Sequence, residues 1–210
     1  MTRKPSVLRQ RQHAATAEAM LDAAERALVK RGYDHATMQQ IAAETGCATG
    51  TFYLYFRNKQ VLFEALLLRH LKAQFQAARE EMDKVAGPLE KVRQSLSAVL
   101  RYWQQHRPFT QLALAVWPMR QRAIQDRLGQ IGWQGYAQFR RETEGLLRQG
   151  QKQGLVRRDV PPGTLLYFID TVSFSFFEWF CLESSKQTLR EKMRVLWGLI
   201  AGGIVHREKP

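Results

Sequence analysis

Residues 37–59 read TMQQIAAETGCATGTFYLYFRNK, and this stretch decides the fold. Thr37 followed three residues later by Gln40 is the signature of a capping box, in which each residue satisfies an orphan donor at the start of a helix. The helix it opens, Met38 onward, lasts only two turns, because Gly46 interrupts it. A second short helix is expected over Thr49–Phe56. Asn58 then caps a long fourth helix that carries Leu62, Phe63, Leu66 and Leu67 towards Lys84. Upstream, Ala17, Met20, Leu21, Ala24 and Leu28 fall on one face of a helix from about His13 to Arg31. Gly32 ends that helix as a residue able to take positive φ, with Tyr33 positioned for the accompanying apolar contact. Two short helices joined by a tight turn behind a longer supporting helix form a helix-turn-helix.

The second short helix has the chemistry to enter a major groove about 12 Å wide, where hydroxyls and flat aromatics meet phosphates and base edges. Thr49, Thr51, Tyr53 and Tyr55 offer hydroxyls, and Phe52 and Phe56, four apart, anchor the helix from behind. Lys59 opens the next helix, where backbone N–H groups already favour an anion. Each residue also has a plainer reading: Tyr53 and Tyr55 as partly buried core aromatics, Thr37 as a cap only. Their arrangement is more specific than any one of them.

This arrangement resembles the TetR-type transcriptional regulators. The residues that carry the likeness are Thr37-Met38-Gln39-Gln40-Ile41-Ala42, Gly46, Gly50-Thr51-Phe52-Tyr53-Leu54-Tyr55-Phe56 and Asn58-Lys59. The resemblance covers about residues 13–60. It implies an all-α protein with an N-terminal three-helix helix-turn-helix domain (1–60) and a larger C-terminal helical domain (61–210) for effector binding and dimerisation. It further implies a sequence-specific regulator, in the family's usual form a repressor, released from a palindromic operator in double-stranded DNA by a small organic effector. By position, Thr37 and Lys59 would touch phosphates, and Thr49, Gly50, Thr51, Tyr53 and Tyr55 would lie on or beside the recognition helix. Two departures stand out: Cys47 replaces an aliphatic residue, and Ala48 replaces a Ser cap. Losing such a cap costs about 1 kcal/mol, and Thr49 is the candidate to take it over.

Composition agrees without being decisive. The 210 residues are 45% hydrophobic and carry a formal net charge of +13. That balance attracts polyanions, nucleic acid first and anionic membrane surfaces second. The excess is spread along the chain; only the opening stretch, with Arg3, Lys4, Arg9 and Arg11 before the first acid at Glu18, is a basic arm. That arm reads equally as a phosphate-tracking segment or a frayed end. Cys47 and Cys181 lie far apart, which excludes a disulfide framework and a cysteine zinc site. The N-terminus has no apolar signal segment, so a cytoplasmic protein is expected.

Beyond Gly87-Pro88 the helices lengthen. Leu89, Val92, Leu96, Val99 and Trp103 form one stripe; a short helix lies between Pro108 and Pro118; others run over about 130–153, from Pro161-Pro162 to Leu182, and from Thr188 to Val205. The 165–182 segment contains Asp170 and Glu178, so a buried helix explains it better than a membrane span. The family resemblance pairs the last two helices across a homodimer, with Phe168, Val172, Ser175, Phe176 and Trp179 facing Leu196, Leu199, Ile200 and Gly203. The other reading makes these intrachain core.

Candidate effector residues are Trp103, His106, Trp117, Tyr136, Phe139, Asp170, Phe174 and Glu178, for an apolar or amphipathic molecule. Asp170 and Glu178 either meet that molecule or pair with an arginine such as Arg140, and the pairing is preferred. No cofactor or metal is expected: His13, His35, His70, His106 and His206 lack ligand spacing. An enzyme is not expected either, since no Ser/His/Asp set, HExxH, phosphate loop or EF-hand pattern occurs.

Overall fold

The computed structural model describes residues 7–116, 134–182 and 187–206. Trp117 and the arm residues Arg3 and Lys4 lie outside the described residues. Those described are helical, with α1 Val7–Arg31, α2 Met38–Glu44, α3 Thr49–Tyr55, α4 Lys59–Asp83, α5 Pro88–Gln105, α6 Gln134–Lys152, α7 Pro162–Leu182 and α8 Leu189–Ile204. A further helical stretch covers 107–116. The described residues include no strand, only an isolated antiparallel bridge between Val156 and Val205.

Local chemistry accounts for the boundaries. Gly32 takes φ +79°, and its N–H closes onto the Leu28 carbonyl at 2.8 Å, which ends α1. The α2 capping box is formed in both directions: Gln40 N donates to Thr37 Oγ1 at 3.2 Å, and Thr37 N donates to Gln40 Oε1 at 3.0 Å. Asn58 Oδ1 accepts from Val61 N at 2.9 Å, opening α4. Pro88 stands in the first turn of α5, where its missing N–H costs nothing. A second capping box, Thr188 with Glu191, starts α8.

The described residues cluster into two compact units: 7–70 with 112–116, and 71–111 with the remainder. Leu62, Phe63 and Leu66, all buried, tie the first turns of α4 to the first unit. In that unit Met20, Ala24 and Leu28 of α1, Ile41 of α2 and Phe52 of α3 are also buried. In the second, Val92, Leu147, Leu166, Ile169, Leu196 and Ile200 are buried.

Candidate nucleic-acid interface and a cavity in the second unit

The α2–α3 turn is held by its own side chains. Gly46 takes φ +70°, a left-handed conformation that glycine adopts at no steric cost. Thr45 Oγ1 donates to the Ala42 carbonyl at 2.7 Å and meets Cys47 Sγ at 2.7 Å. Cys47 therefore occupies the place of the expected aliphatic residue as a turn contact. Ala48 is the N-cap of α3 and makes no side-chain cap bond. Thr49 is the first helical residue, so it does not take over the cap, and its side chain is exposed.

Successive residues of a helix rotate by about 100°, so positions two apart face nearly opposite ways. Phe52 is fully buried and Phe56 nearly so, with ring centroids 5.4 Å apart. Gly50 and Leu54, two positions from Phe52, face the opposite way, and with Thr49, Thr51 and Tyr53 on the flanks they are all exposed. Among the described residues, none hydrogen-bonds to the hydroxyl of Thr49, Thr51 or Tyr53. Tyr55 stands between the two faces; its ring stacks on His13 of α1 at 4.3 Å. Thr37 is exposed but already committed to its cap.

Leu54 is the outer residue that sequence reading passed over. At 85% exposure it is the most exposed large apolar side chain among the described residues; the helical wheel, which sets it about 200° from Phe52, was the available signal. Gly50 sits one turn before it. A β-carbon placed on Gly50 has no protein atom within 4 Å, so nothing inside the chain requires glycine there. Gly50→Ala is accordingly expected to raise stability by up to about 1 kcal/mol and to weaken specific DNA binding about tenfold, because the new methyl meets the nucleic acid. Thermal unfolding and anisotropy titrations read the two effects separately; unchanged affinity would mean that no close approach occurs at this position.

Lys59 is half-buried, and its ammonium is directed inward. Nζ donates to the carbonyls of Tyr33 at 2.5 Å, Ala36 at 2.8 Å and Asp34 at 3.3 Å, and lies 4.7 Å above the Tyr33 ring. It stitches the α1–α2 connection to the start of α4. Behind the interface, Arg69 bridges Glu18, Asp22 and Glu25 of α1, and buried His70 meets Glu25 at 3.0 Å. Burial pushes the Glu25 carboxyl up, but hydrogen bonds and charge from His70 and Arg69 outweigh it and hold the group below its ordinary range.

In the second unit, α5, α6 and α7 enclose a cavity of about 30 Å³. It is walled mainly by Val92, Leu96, Val99, Phe139, Leu166 and Ile169, with Arg140 and Asp170 as its charged groups. The preferred pairing is present: Arg140 Nη1 donates to Asp170 Oδ2 at 2.6 Å, and also to the Tyr136 hydroxyl at 3.1 Å. Phe75 packs on both Tyr136 and Phe139. Of the candidate effector residues, Phe139 and Asp170 line the cavity and Tyr136 stands one contact away. Trp103 and His106 lie at the far end of α5 and do not line it. Phe174 and Glu178 are exposed, which leaves Glu178 outside the Arg140 pair.

The outer faces of α7 and α8 are apolar, with Tyr167, Phe168, Phe174 and Trp179 on one and Val195 and Leu199 on the other. Leu196 and Ile200 are fully buried in the protomer. Gly203 lies against Phe168, whose ring would be 2.7 Å from a β-carbon there. The expected α8 face is corrected by this: residues 192, 196, 200 and 204 point inward, and 195 and 199 outward.

Comparisons with known proteins converge on this architecture. Residues 20–66 match the family model of bacterial regulatory proteins, tetR family. The uncharacterised helix-turn-helix regulator YhgD of Bacillus subtilis is 32% identical over 41% of this chain and 46% of its own length. The transcriptional repressor KstR2 of Mycobacterium tuberculosis is 25% identical over 77% of this chain and 79% of its own length. The solved structure of that ketosteroid regulator superposes with a TM-score of 0.68 at 22% identity, covering 91% of this chain and 95% of that one. FadR of Bacillus subtilis, solved with stearoyl-CoA, gives 0.72 at 21% identity over 89% and 98%. The fold and its outward-facing second short helix define a helix-turn-helix DNA-binding regulator. Within the chain, residues 20–66 are of the TetR type, and the transcriptional repressors Rv1474c and KstR2 of Mycobacterium tuberculosis align over 76% and 77% of it. The relatives named above are regulators of transcription, and among the described residues no helix is long and apolar enough to cross a membrane.

Proposed function

We propose that this protein is a homodimeric repressor that seats α3 of each subunit in the major groove of a palindromic operator and lets go when a small apolar or amphipathic molecule binds. The observation that carries the reading is the two-faced character of α3. Its buried aromatics fix the helix, and its hydroxyls, a glycine and a bare leucine are left outside. Thr49, Thr51 and Tyr53 donate to phosphates or base edges, Gly50 permits close approach, and Leu54 contacts a thymine methyl. Thr37 and Tyr55 border the groove, Tyr55 from its stack on His13. Lys59 holds the domain's shape through the carbonyls of Tyr33, Asp34 and Ala36.

Dimerisation through the exposed apolar faces of α7 and α8 accounts for large side chains that a lone subunit would leave in water. Two recognition helices then meet half-sites one helical turn, about 34–36 Å, apart. The cavity between α5, α6 and α7 supports effector binding, as does the stearoyl-CoA complex of FadR. Effector binding would favour a subunit arrangement whose helices no longer match successive grooves.

Selection of bound sequences from a random duplex pool is the direct test. An inverted repeat with half-sites one turn apart is expected, with affinity that falls steeply as salt rises. Tyr53→Ala should lower affinity for that repeat about tenfold or more, each good base contact being worth about 1–3 kcal/mol, with helix content and dimer mass unchanged. Weak binding to every duplex alike would reject the proposal.

A further inference from the structure

The groups around the cavity of the second unit differ in what they have left to offer a ligand. Ser95 donates its hydroxyl proton to the Val92 carbonyl at 2.8 Å, and Thr143 donates to the Phe139 carbonyl at 2.9 Å. Both hydroxyl protons are spent on the helices that carry them. The polar partner at the wall is therefore the Arg140–Asp170 pair, and its two halves are unequally held. Arg140 is kept in place by the Tyr136 hydroxyl at 3.1 Å and by the Tyr136 ring, 5.6 Å from the guanidinium carbon. Asp170 is half-buried on an apolar helix; burial pushes its carboxyl up, and neither the nearby charge of Arg140 nor its hydrogen bond with the Tyr136 side chain restores it.

An incoming cation would have to evict a guanidinium held by the Tyr136 ring as well as by the hydroxyl that it shares with Asp170. An incoming anion would only have to replace a poorly solvated carboxylate. The remaining wall is apolar and suits a hydrocarbon tail. At about 30 Å³ the closed cavity has room for little more than a water molecule, so a ligand enters only if the walls part. The pair that ties α6 to α7 is the tie a ligand must break.

We infer that the effector is an anionic amphiphile, a carboxylate with an apolar tail, which takes the place of Asp170 on Arg140 and so unfastens α7 from α6. This rests on the effector-released reading above and gives it a route. Asp170 stands on the helix whose outer face carries Tyr167, Phe168, Phe174 and Trp179. A ligand that frees the inner side of α7 thereby acts on the proposed dimer surface.

The test uses the full chain and three ten-carbon probes that differ only at the head: decanoate, decanol and decylamine. Calorimetry reads binding, and anisotropy of the selected operator reads release. Decanoate is expected to bind at least tenfold more tightly than decanol, and decylamine more weakly than both. Arg140→Gln should erase the preference for decanoate. Asp170→Asn, which removes the competing charge, should bind decanoate about tenfold more tightly and release operator at correspondingly lower concentration. Binding of decanol as tight as that of decanoate, a preference for decylamine, or no binding of any probe would overturn the inference. Should Arg140→Gln fail to fold, an unchanged decanoate affinity in Asp170→Asn overturns it alone. Arg140-dependent binding of decanoate that leaves the operator complex intact would keep the site and reject effector release. Failure to select any operator would reject the DNA reading, with calorimetry still deciding the site.

Discussion

Phe52→Ala is expected to destabilise the protein by about 3–5 kcal/mol, the cost of emptying a fully packed aromatic position. Phe52 is fully buried, and it is the residue through which α3 is fastened. A helix of seven residues is far shorter than the 12–15 that an isolated helix needs even for marginal stability. With no side-chain cap at Ala48, α3 has no local support to fall back on. Its two turns therefore exist because Phe52 and Phe56 are buried. The variant should lose operator binding altogether and shift the urea midpoint markedly, while Tyr53→Ala, one residue away on the outer face, leaves the midpoint where it was. Similar midpoints for the two variants would refute the division of α3 into an anchoring and a reading side.

Lys59→Met should cost about 2–3 kcal/mol, from hydrogen bonds made by a charged donor and from the carbonyls it leaves behind. Methionine keeps the length of the stem, so packing changes little and the loss reports the ammonium. Three carbonyls, those of Tyr33, Asp34 and Ala36, lose their donor together. The resemblance made Lys59 a phosphate contact, and the salt dependence of operator binding tests that role apart from stability. With the three protons spent internally, the slope of affinity against salt is expected to stay unchanged. A slope reduced by about one charge would assign Lys59 a phosphate as well.

Much of the first unit was legible because its signals are local. Thr37 with Gln40, Gly32, Gly46 and Asn58 each act on backbone within four residues, and each does in the structure what its spacing implied. The Phe52/Phe56 pair was legible for the same reason. What sequence did not disclose depends on distant partners or on which side of a helix meets them. Lys59 reaches back 26 residues to Tyr33, and Arg69 reaches back 44 to Glu25; no periodicity encodes either. The α8 faces were assigned one residue out of phase, since Leu196, Leu199 and Ile200 are equally apolar and only packing decides which of them turn inward. The Arg140–Asp170 pair was preferred because a carboxylate on an apolar helix needs a counter-charge. The same reasoning extended to Glu178, which is itself exposed and free to face water. The other effector residues were drawn from aromatic content, and aromatic content does not say which rings border a void.

The side of α3 that faces away from the protein touches almost nothing in its own chain. Thr49, Thr51, Tyr53 and Leu54 can each be exchanged at little cost to folding, whereas Phe52 and Phe56 cannot. Descendants of such a gene are thereby free to acquire new genomic addresses by substitution at those few positions, one duplicate drifting to another promoter while the scaffold beneath is inherited intact.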